Sequence, residues 1–192
     1  MIVGALILAG GRSTRLGSSA KQKLLLDGVP LLERTVRAVR RAGARDVVVV
    51  GDESVDDART VREEPPFGGP VAAVAAGLAA LPADTDLVLV LACDMPAIDV
   101  ALPALLAAPE GDGTIAVDRG RRQHLALAAR PAALAGALAA LPALPGAAMR
   151  ELLAPLDLRE APVPDGATDD IDTWDDAARF GAVPPTPTGA RP

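Results

Sequence analysis

Near the amino end, Ile2-Val3-Gly4-Ala5-Leu6-Ile7-Leu8 forms an uninterrupted apolar run that empties into Ala9-Gly10-Gly11-Arg12-Ser13-Thr14-Arg15-Leu16-Gly17. The run is short and β-branched at several places, which predicts a strand buried on both faces, the kind found at the centre of a parallel sheet. The stretch after it is basic: Arg12, Arg15, Lys21 and Lys23 come before the first acidic residue, Asp27. Glycines let backbone N–H groups approach phosphate oxygens, and Arg and Lys neutralise their charge. The stretch therefore suits a polyphosphate, although a tight strand-to-helix turn with solvated cations would use the same residues. It is not a Walker A loop, which reads G-x-x-x-x-G-K-[ST]. Here five residues separate Gly11 from Gly17, and Ser18 comes next. The dinucleotide fingerprint G-x-G-x-x-G is absent too.

The next segments alternate between helix and strand signals. Residues 30–42 predict a helix, with Pro30 in its first turn, Leu31, Leu32, Thr35, Val36 and Val39 on one face, and Gly43 as a stop. Arg34, Arg37, Arg40 and Arg41 read as its solvated side. Asp46-Val47-Val48-Val49-Val50-Gly51 is a second buried strand. Strand, helix and strand at this spacing make a βαβ unit, so the sheet is at least partly parallel. A short strand near Val61 leads through Glu63, Glu64 and Gly68-Gly69-Pro70 into an Ala-rich helix over 71–81, whose small residues permit close packing.

Residues 86–92 are apolar after Asp86 and end in Cys93-Asp94-Met95-Pro96. A carboxylate at the carboxyl end of a central strand sits where open α/β sheets place their ligands. It is costly to bury unless a metal or another partner satisfies it. A turn-capping Asp is the plainer alternative. Further on, a helix over 99–108, strands over 114–117 and 123–128 joined by Asp118-Arg119-Gly120-Arg121-Arg122, helices over 131–141 and 146–153, and a strand over 156–163 are expected. The strand pair reads as a hairpin or as an excursion at one side of the sheet. In the last acidic stretch, Asp172 or Thr173 would cap a short helix whose first turn is acidic.

Composition narrows the class. A chain of 192 residues suits one domain and can bury a sizeable core, which with two Phe, one Trp and no Tyr must be built from Leu, Val, Ile and Ala. A net charge of −6 argues against general nucleic-acid binding. Cys93 is the only cysteine, which excludes an intrachain disulfide and a cysteine zinc site. The apolar start lacks a basic flank and is too short to span a bilayer, so a cytoplasmic protein without membrane attachment is expected. Residues 1–183 are expected to form a single domain, and 184–192 a disordered Pro-rich tail.

Taken together, Leu8-Ala9-Gly10-Gly11, Arg15, Gly17, Lys21 and Gly28-Val29-Pro30-Leu31 resemble the signature of small nucleotidyltransferases, and among these the molybdenum cofactor guanylyltransferase (MobA-like) family. Later motifs come in the family's order. Gly69-Pro70-Val71-Ala72 resembles a segment that lies beside the nucleotide base, with Glu64 the nearest counterpart of an acidic residue before it. Cys93-Asp94-Met95-Pro96 resembles a metal-binding C-D-x-P. Asp170-Ile171-Asp172-Thr173 resembles N-[VI]-N-T-P, with Trp174 where Pro is usual. His124 matches the His of a His-Pro pair that the family has near the acceptor pocket, with Leu125 in place of the Pro.

The resemblance implies a three-layer α/β/α sandwich with a Rossmann-like, mainly parallel sheet of the nucleotide-diphospho-sugar transferase type. It implies transfer of GMP from GTP to the phosphate of molybdopterin or molybdenum-molybdopterin, releasing pyrophosphate, in molybdenum cofactor biosynthesis. Arg15, Lys21 and Asp94 would be catalytic. Leu8, Ala9, Gly10, Gly11, Lys21, Glu64, Gly69 and Pro70 would bind the nucleotide. Asp94 with Asp170 or Asp172 would hold Mg²⁺, and Gln123 and His124 would face the acceptor. Molybdoenzyme maturation proteins are further implied partners. A molybdopterin cytidylyltransferase, another small NTP transferase and a non-catalytic nucleotide-binding module are the alternatives.

Overall fold

A computed structural model describes residues 1–10, 23–107 and 110–185. Seven strands form one sheet: β1 (Val3–Leu8), β4 (Ala44–Val50), β5 (Arg59–Val61), β6 (Leu87–Ala92), β7 (Gly113–Asp118), β8 (Arg121–Ala129) and β9 (Leu158–Pro162). Their order across the sheet is β5-β4-β1-β6-β8-β7-β9. Two short strands, β2 (Leu25–Leu26) and β3 (Val29–Pro30), make a separate hairpin. β1 pairs in parallel with both β4 and β6, and every residue of β1 is buried. The opening run of the chain is therefore the centre of a parallel sheet, as its two-sided hydrophobicity predicts.

Helices cover both faces. On one side Leu32, Val36 and Val39 of α1 (Leu31–Arg41) and Leu102 and Leu105 of α3 (Leu102–Leu106) pack on Ala5, Ile7, Val49 and Leu89. On the other side Val71 and Val74 of α2 (Pro70–Ala80), Leu134 and Leu138 of α4 (Pro131–Ala140) and Leu152 of α5 (Met149–Leu153) pack on Leu6, Val48, Val90 and Leu127. Alternation along each strand thus feeds two separate cores, the condition for a three-layer α/β/α sandwich. Close packing of α2 depends on Gly77, where an added Cβ would lie 2.9 Å from both Leu6 and Val50 side-chain carbons.

Three local expectations are corrected. Pro30 precedes α1 instead of lying in its first turn, with φ −56 and ψ 140, because it pairs with Leu25 in the small hairpin. Residues 99–108 are not one helix: a 3₁₀ turn (Ile98–Val100) precedes α3, which starts only at Leu102 and carries Pro103 in its first turn, where a missing N–H costs nothing. The segment from Gly146 becomes helical only at Met149, since the Gly146 amide is committed to the Gly68 carbonyl at 2.8 Å. Of the two readings of the 114–128 segment, the hairpin is found. β8 runs antiparallel to both β6 and β7, so the sheet is mixed.

The last helix, α6 (Trp174–Phe180), lies outside the two main layers. Ile171 and Ala177 join Leu24 and Leu31 in a third small core, and Val183 exchanges backbone hydrogen bonds with Leu25 at 2.7 and 2.8 Å. The carboxyl end is thereby returned to the base of the first loop. Among the described residues no helix is long and apolar enough to cross a membrane.

Candidate active site

β1, β4, β5 and β6 run in parallel, and β1 and β6 are neighbours although four strands and two helices separate them in sequence. Such a reversal of strand order opens a crevice beyond the carboxyl ends of the strands. A cavity of about 940 Å³ lies there. Leu8, Ala9 and Gly10 enter it from the end of β1, and Asp94 from the end of β6. Gly69 and Pro70 line it at the start of α2. Gln123 and His124 reach it from the start of β8, which an antiparallel strand brings to the same edge of the sheet. The β6–β8 register pairs Leu91 with Ala126, and continued beyond its last pair it brings Gln123 level with Asp94.

Asp94, Asp170 and Asp172 converge: one carboxylate oxygen from each lies within 4.8 Å of the others. The cause is local. Ile171 is fully buried, and its amide donates to the Asp94 carbonyl at 3.0 Å. The hydrogen bond ties the segment that carries Asp170 and Asp172 to the end of β6 beside Asp94. Thr173 then begins α6. Its hydroxyl accepts from the Asp176 amide at 3.1 Å, and the Asp176 carboxylate accepts from the Thr173 amide at 2.9 Å. Of the two residues considered for the cap, Thr173 takes it, leaving Asp172 with the cluster. Three hard oxygen donors at this spacing fit an oxygen-preferring divalent cation.

Two adjacent glutamates precede Gly69 and Pro70, and the structure places them differently. Glu64 is exposed and is not part of the cavity wall; Glu63 is buried at 8% exposure and lines it. Val61 packs on the core and alternation turns Arg62 outward, Glu63 inward and Glu64 outward. Oε1 of Glu63 accepts the Phe67 amide at 3.0 Å and lies 4.0 Å from where a Cβ of Gly10 would sit. Phe67, also on the wall, has φ 62, a left-handed conformation that costs a non-glycine residue on the order of 1–3 kcal/mol.

Sequence reasoning also missed Asp118. At the end of β7 it is 3% exposed, and its carboxylate accepts from the Gly166 and Thr168 amides, each at 3.1 Å, and from the Thr168 hydroxyl at 2.8 Å. Burial alone would raise its pKa. The Thr168 hydroxyl and the Thr168 and Gly166 amides outweigh that, aided by the Arg119 charge, so the carboxyl lies below its usual value. Arg119 and Arg179 both pair with Asp169, at 2.7 and 3.4 Å. These contacts fix the segment that delivers Asp170. A lone Asp after an apolar strand carries no signal of such a role. Arg121 and Arg122 line the cavity beside Gln123 and His124, and Arg122 is held by Glu160 at 2.7 Å.

Gly11, Arg15 and Lys21 lie outside the described residues. Lys23 pairs with Glu53 at 2.9 Å and is not part of the cavity wall.

The mixed, mostly parallel sheet covered by helices on both faces, with a cavity beyond its carboxyl strand ends, is an α/β sandwich of the kind that places ligands at that edge. The family model for the MobA-like NTP transferase domain matches residues 5–161, and the chain belongs to that family. It is 44% identical over 100 residues to a probable molybdenum cofactor guanylyltransferase of Opitutus terrae, covering 50% of this chain and 49% of that one. It is 36% identical over 112 residues to the molybdenum cofactor guanylyltransferase of Xanthomonas euvesicatoria, covering 58% and 57%. The chain thus spans about half the length of the curated relatives it matches. Among solved structures, molybdopterin-guanine dinucleotide biosynthesis protein A of Archaeoglobus fulgidus superposes with a TM-score of 0.68 at 21% identity, over 92% of this chain and 96% of that one. Rv0371c of Mycobacterium tuberculosis, in complex with manganese, superposes with a TM-score of 0.65 at 21% identity, over 94% and 98%. At such identities these two structures speak for the fold. In this chain, the carboxylate trio is a group that could hold a divalent metal.

Proposed function

We propose that this protein transfers GMP from GTP to the phosphate of molybdopterin or its molybdenum-carrying form, releasing pyrophosphate in molybdenum cofactor biosynthesis. The observation that carries the reading is one continuous cavity with Glu63 and Gly69 on its wall, the Asp94 cluster at the strand ends, and Gln123, His124, Arg121 and Arg122 on the β8 side. The names of the curated relatives agree with it.

The chemistry asks for little beyond positioning. A phosphate monoester attacks the α-phosphorus of the triphosphate, and pyrophosphate leaves with the bonding electrons. The attacking oxygen is already ionised, so no side-chain base is needed. Both reactants are anions, and the site must offset their repulsion. Arg15, Lys21 and the Gly10 and Gly11 amides would hold the triphosphate, and Arg121 and Arg122 would draw the acceptor phosphate. Asp94 with Asp170 or Asp172 would hold Mg²⁺, which would supply positive charge to neutralise the phosphate oxygens. Catalysis is then alignment and electrostatics.

The choice of guanine rests on Glu63. The Watson–Crick edge of guanine carries N1–H beside N2–H₂, two adjacent donors for one carboxylate. Adenine and cytosine set a donor beside an acceptor, which a carboxylate repels. A wrong base sets an acceptor against a buried carboxylate that already accepts the Phe67 amide, which favours discrimination. Calorimetry with the four NTPs and Mg²⁺ tests this. GTP should bind most tightly, and a preference for CTP would replace the reading with cytidylyl transfer.

A further inference from the structure

At the tip of the β7–β8 hairpin Asp118 pairs with Arg121, so the turn is only Arg119 and Gly120, with φ 48 and 74. A two-residue turn with both φ positive favours Asn, Asp or Gly at its first position. Arg119 takes that position, and its guanidinium reaches across to the segment that carries Asp170. Its Nη1 and Nη2 donate to Oδ1 and Oδ2 of Asp169 at 2.7 and 3.2 Å. Gly166 leaves room for this fork, since a Cβ there would lie 3.0 Å from Nη2 of Arg119. An isolated exposed ion pair contributes little. This one is two-pronged, its carboxylate is only 20% exposed, and Arg179 of α6 holds the same carboxylate at 3.4 Å.

The two ends of the fork adjoin different parts of the cavity wall. Asp170 follows Asp169 and belongs to the carboxylate trio. Arg121, Arg122, Gln123 and His124 follow the turn and line the β8 side. Asp118 already grips the Gly166 and Thr168 amides, and Arg119 extends that grip to the residue next to Asp170. We propose that Arg119 is a positioning residue that locks the hairpin to the carboxylate segment, so that one clamp sets both the metal affinity of the trio and the capture of the acceptor phosphate. Arg119 is not itself part of the cavity wall and acts through its neighbours. Arg179 is the natural control, because it reaches Asp169 from α6 and not from the hairpin. This assignment rests on the nucleotidyltransferase reading of the cavity.

The test measures uptake of Mn²⁺ alone by electron paramagnetic resonance, beside steady-state kinetics with GTP and molybdopterin. Arg119→Asn removes the fork but supplies a residue that the turn favours, so it should melt close to wild type. It should weaken Mn²⁺ by about tenfold, the lower end of the range for residues that orient a metal's ligands. It should raise the KM for molybdopterin by about threefold or more, while the KM for GTP at saturating Mn²⁺ stays within about twofold. Arg119→Lys should fall between, because it keeps the charge but not the fork. Arg179→Ala should weaken Mn²⁺ without raising the KM for molybdopterin. If either the Mn²⁺ affinity or the molybdopterin KM of Arg119→Asn stays within about twofold of wild type, the proposal is overturned. Equal rises in the molybdopterin KM for Arg119→Asn and Arg179→Ala overturn coupling through the hairpin. A wild type that takes up Mn²⁺ but moves no GMP onto molybdopterin overturns the function instead, and the Mn²⁺ comparison alone then decides whether Arg119 positions the trio.

Discussion

The Ile171 amide donates to the Asp94 carbonyl at 3.0 Å, joining the returning carboxyl-terminal segment to the end of the central strand β6. With Ile171 buried in the third core, the Asp170 and Asp172 carboxylates lie beside that of Asp94, one oxygen from each within 4.8 Å of the others. A packing decision thus sets the geometry of a charged site.

The carboxylate cluster makes a prediction for turnover. One carboxylate oxygen from each of Asp94, Asp170 and Asp172 lies within 4.8 Å of the others, a spacing that suits a divalent cation. Asp94→Asn should lower pyrophosphate release by about a hundredfold or more, the scale of losing a principal electrostatic element. EDTA should abolish wild-type turnover and Mg²⁺ or Mn²⁺ should restore it. A pyrophosphate assay measures both effects; undiminished turnover in Asp94→Asn removes the carboxylate from the site.

Asp118 predicts an acid-sensitive contribution. Its pKa is lowered in the folded state because the Thr168 and Gly166 hydrogen bonds outweigh burial. A depressed carboxyl stabilises fully above its unfolded value near 3.9, and that contribution is lost as pH falls through the folded value. Asp118→Asn should cost about 1.5–3 kcal/mol at neutral pH, the range for hydrogen bonds to a charged group. The gap to wild type should narrow on acidification below about pH 4. Denaturant melts across that range measure it, and a gap that widens toward acid contradicts the assignment.

Adjacent glutamates should behave differently. Glu63→Gln should weaken GTP by about tenfold or more and erode the preference over CTP, while Glu64→Gln leaves both within about twofold. The reverse pattern would restore the acidic residue expected from the motif alone.

The same contrast applies to two lysines. Lys21→Ala should reduce turnover strongly with an unchanged melting temperature, since it carries the motif position. Lys23 is bound to Glu53 at a half-exposed surface pair, and its loss should be nearly silent. Loss of activity in Lys23→Ala alone would shift the alignment of the basic loop by two positions.

Much of this architecture was legible because its signals are strong. A two-sided apolar run such as Ile2 to Leu8 leaves few options besides a central strand, and Asp94 marks its own importance by ending another. The returning Asp170 and Asp172 were legible as a pair, but the anchoring of Ile171 that brings both beside Asp94 was not. Glu63 was obscured by Glu64. The distinction depends on alternation continuing past β5, a weak signal over a strand of three residues. Asp118 and the antiparallel course of β8 depend on contacts between distant segments, which local propensity does not encode.

The most direct test is the reaction itself. Purified protein incubated with α-phosphate-labelled GTP, molybdopterin and Mg²⁺ should move the label onto the pterin and release one pyrophosphate for each label transferred. Labelled CTP should give little transfer under the same conditions. Transfer from CTP in preference to GTP, or tight GTP binding with no label on the pterin, would contradict guanylyl transfer as the activity of this site.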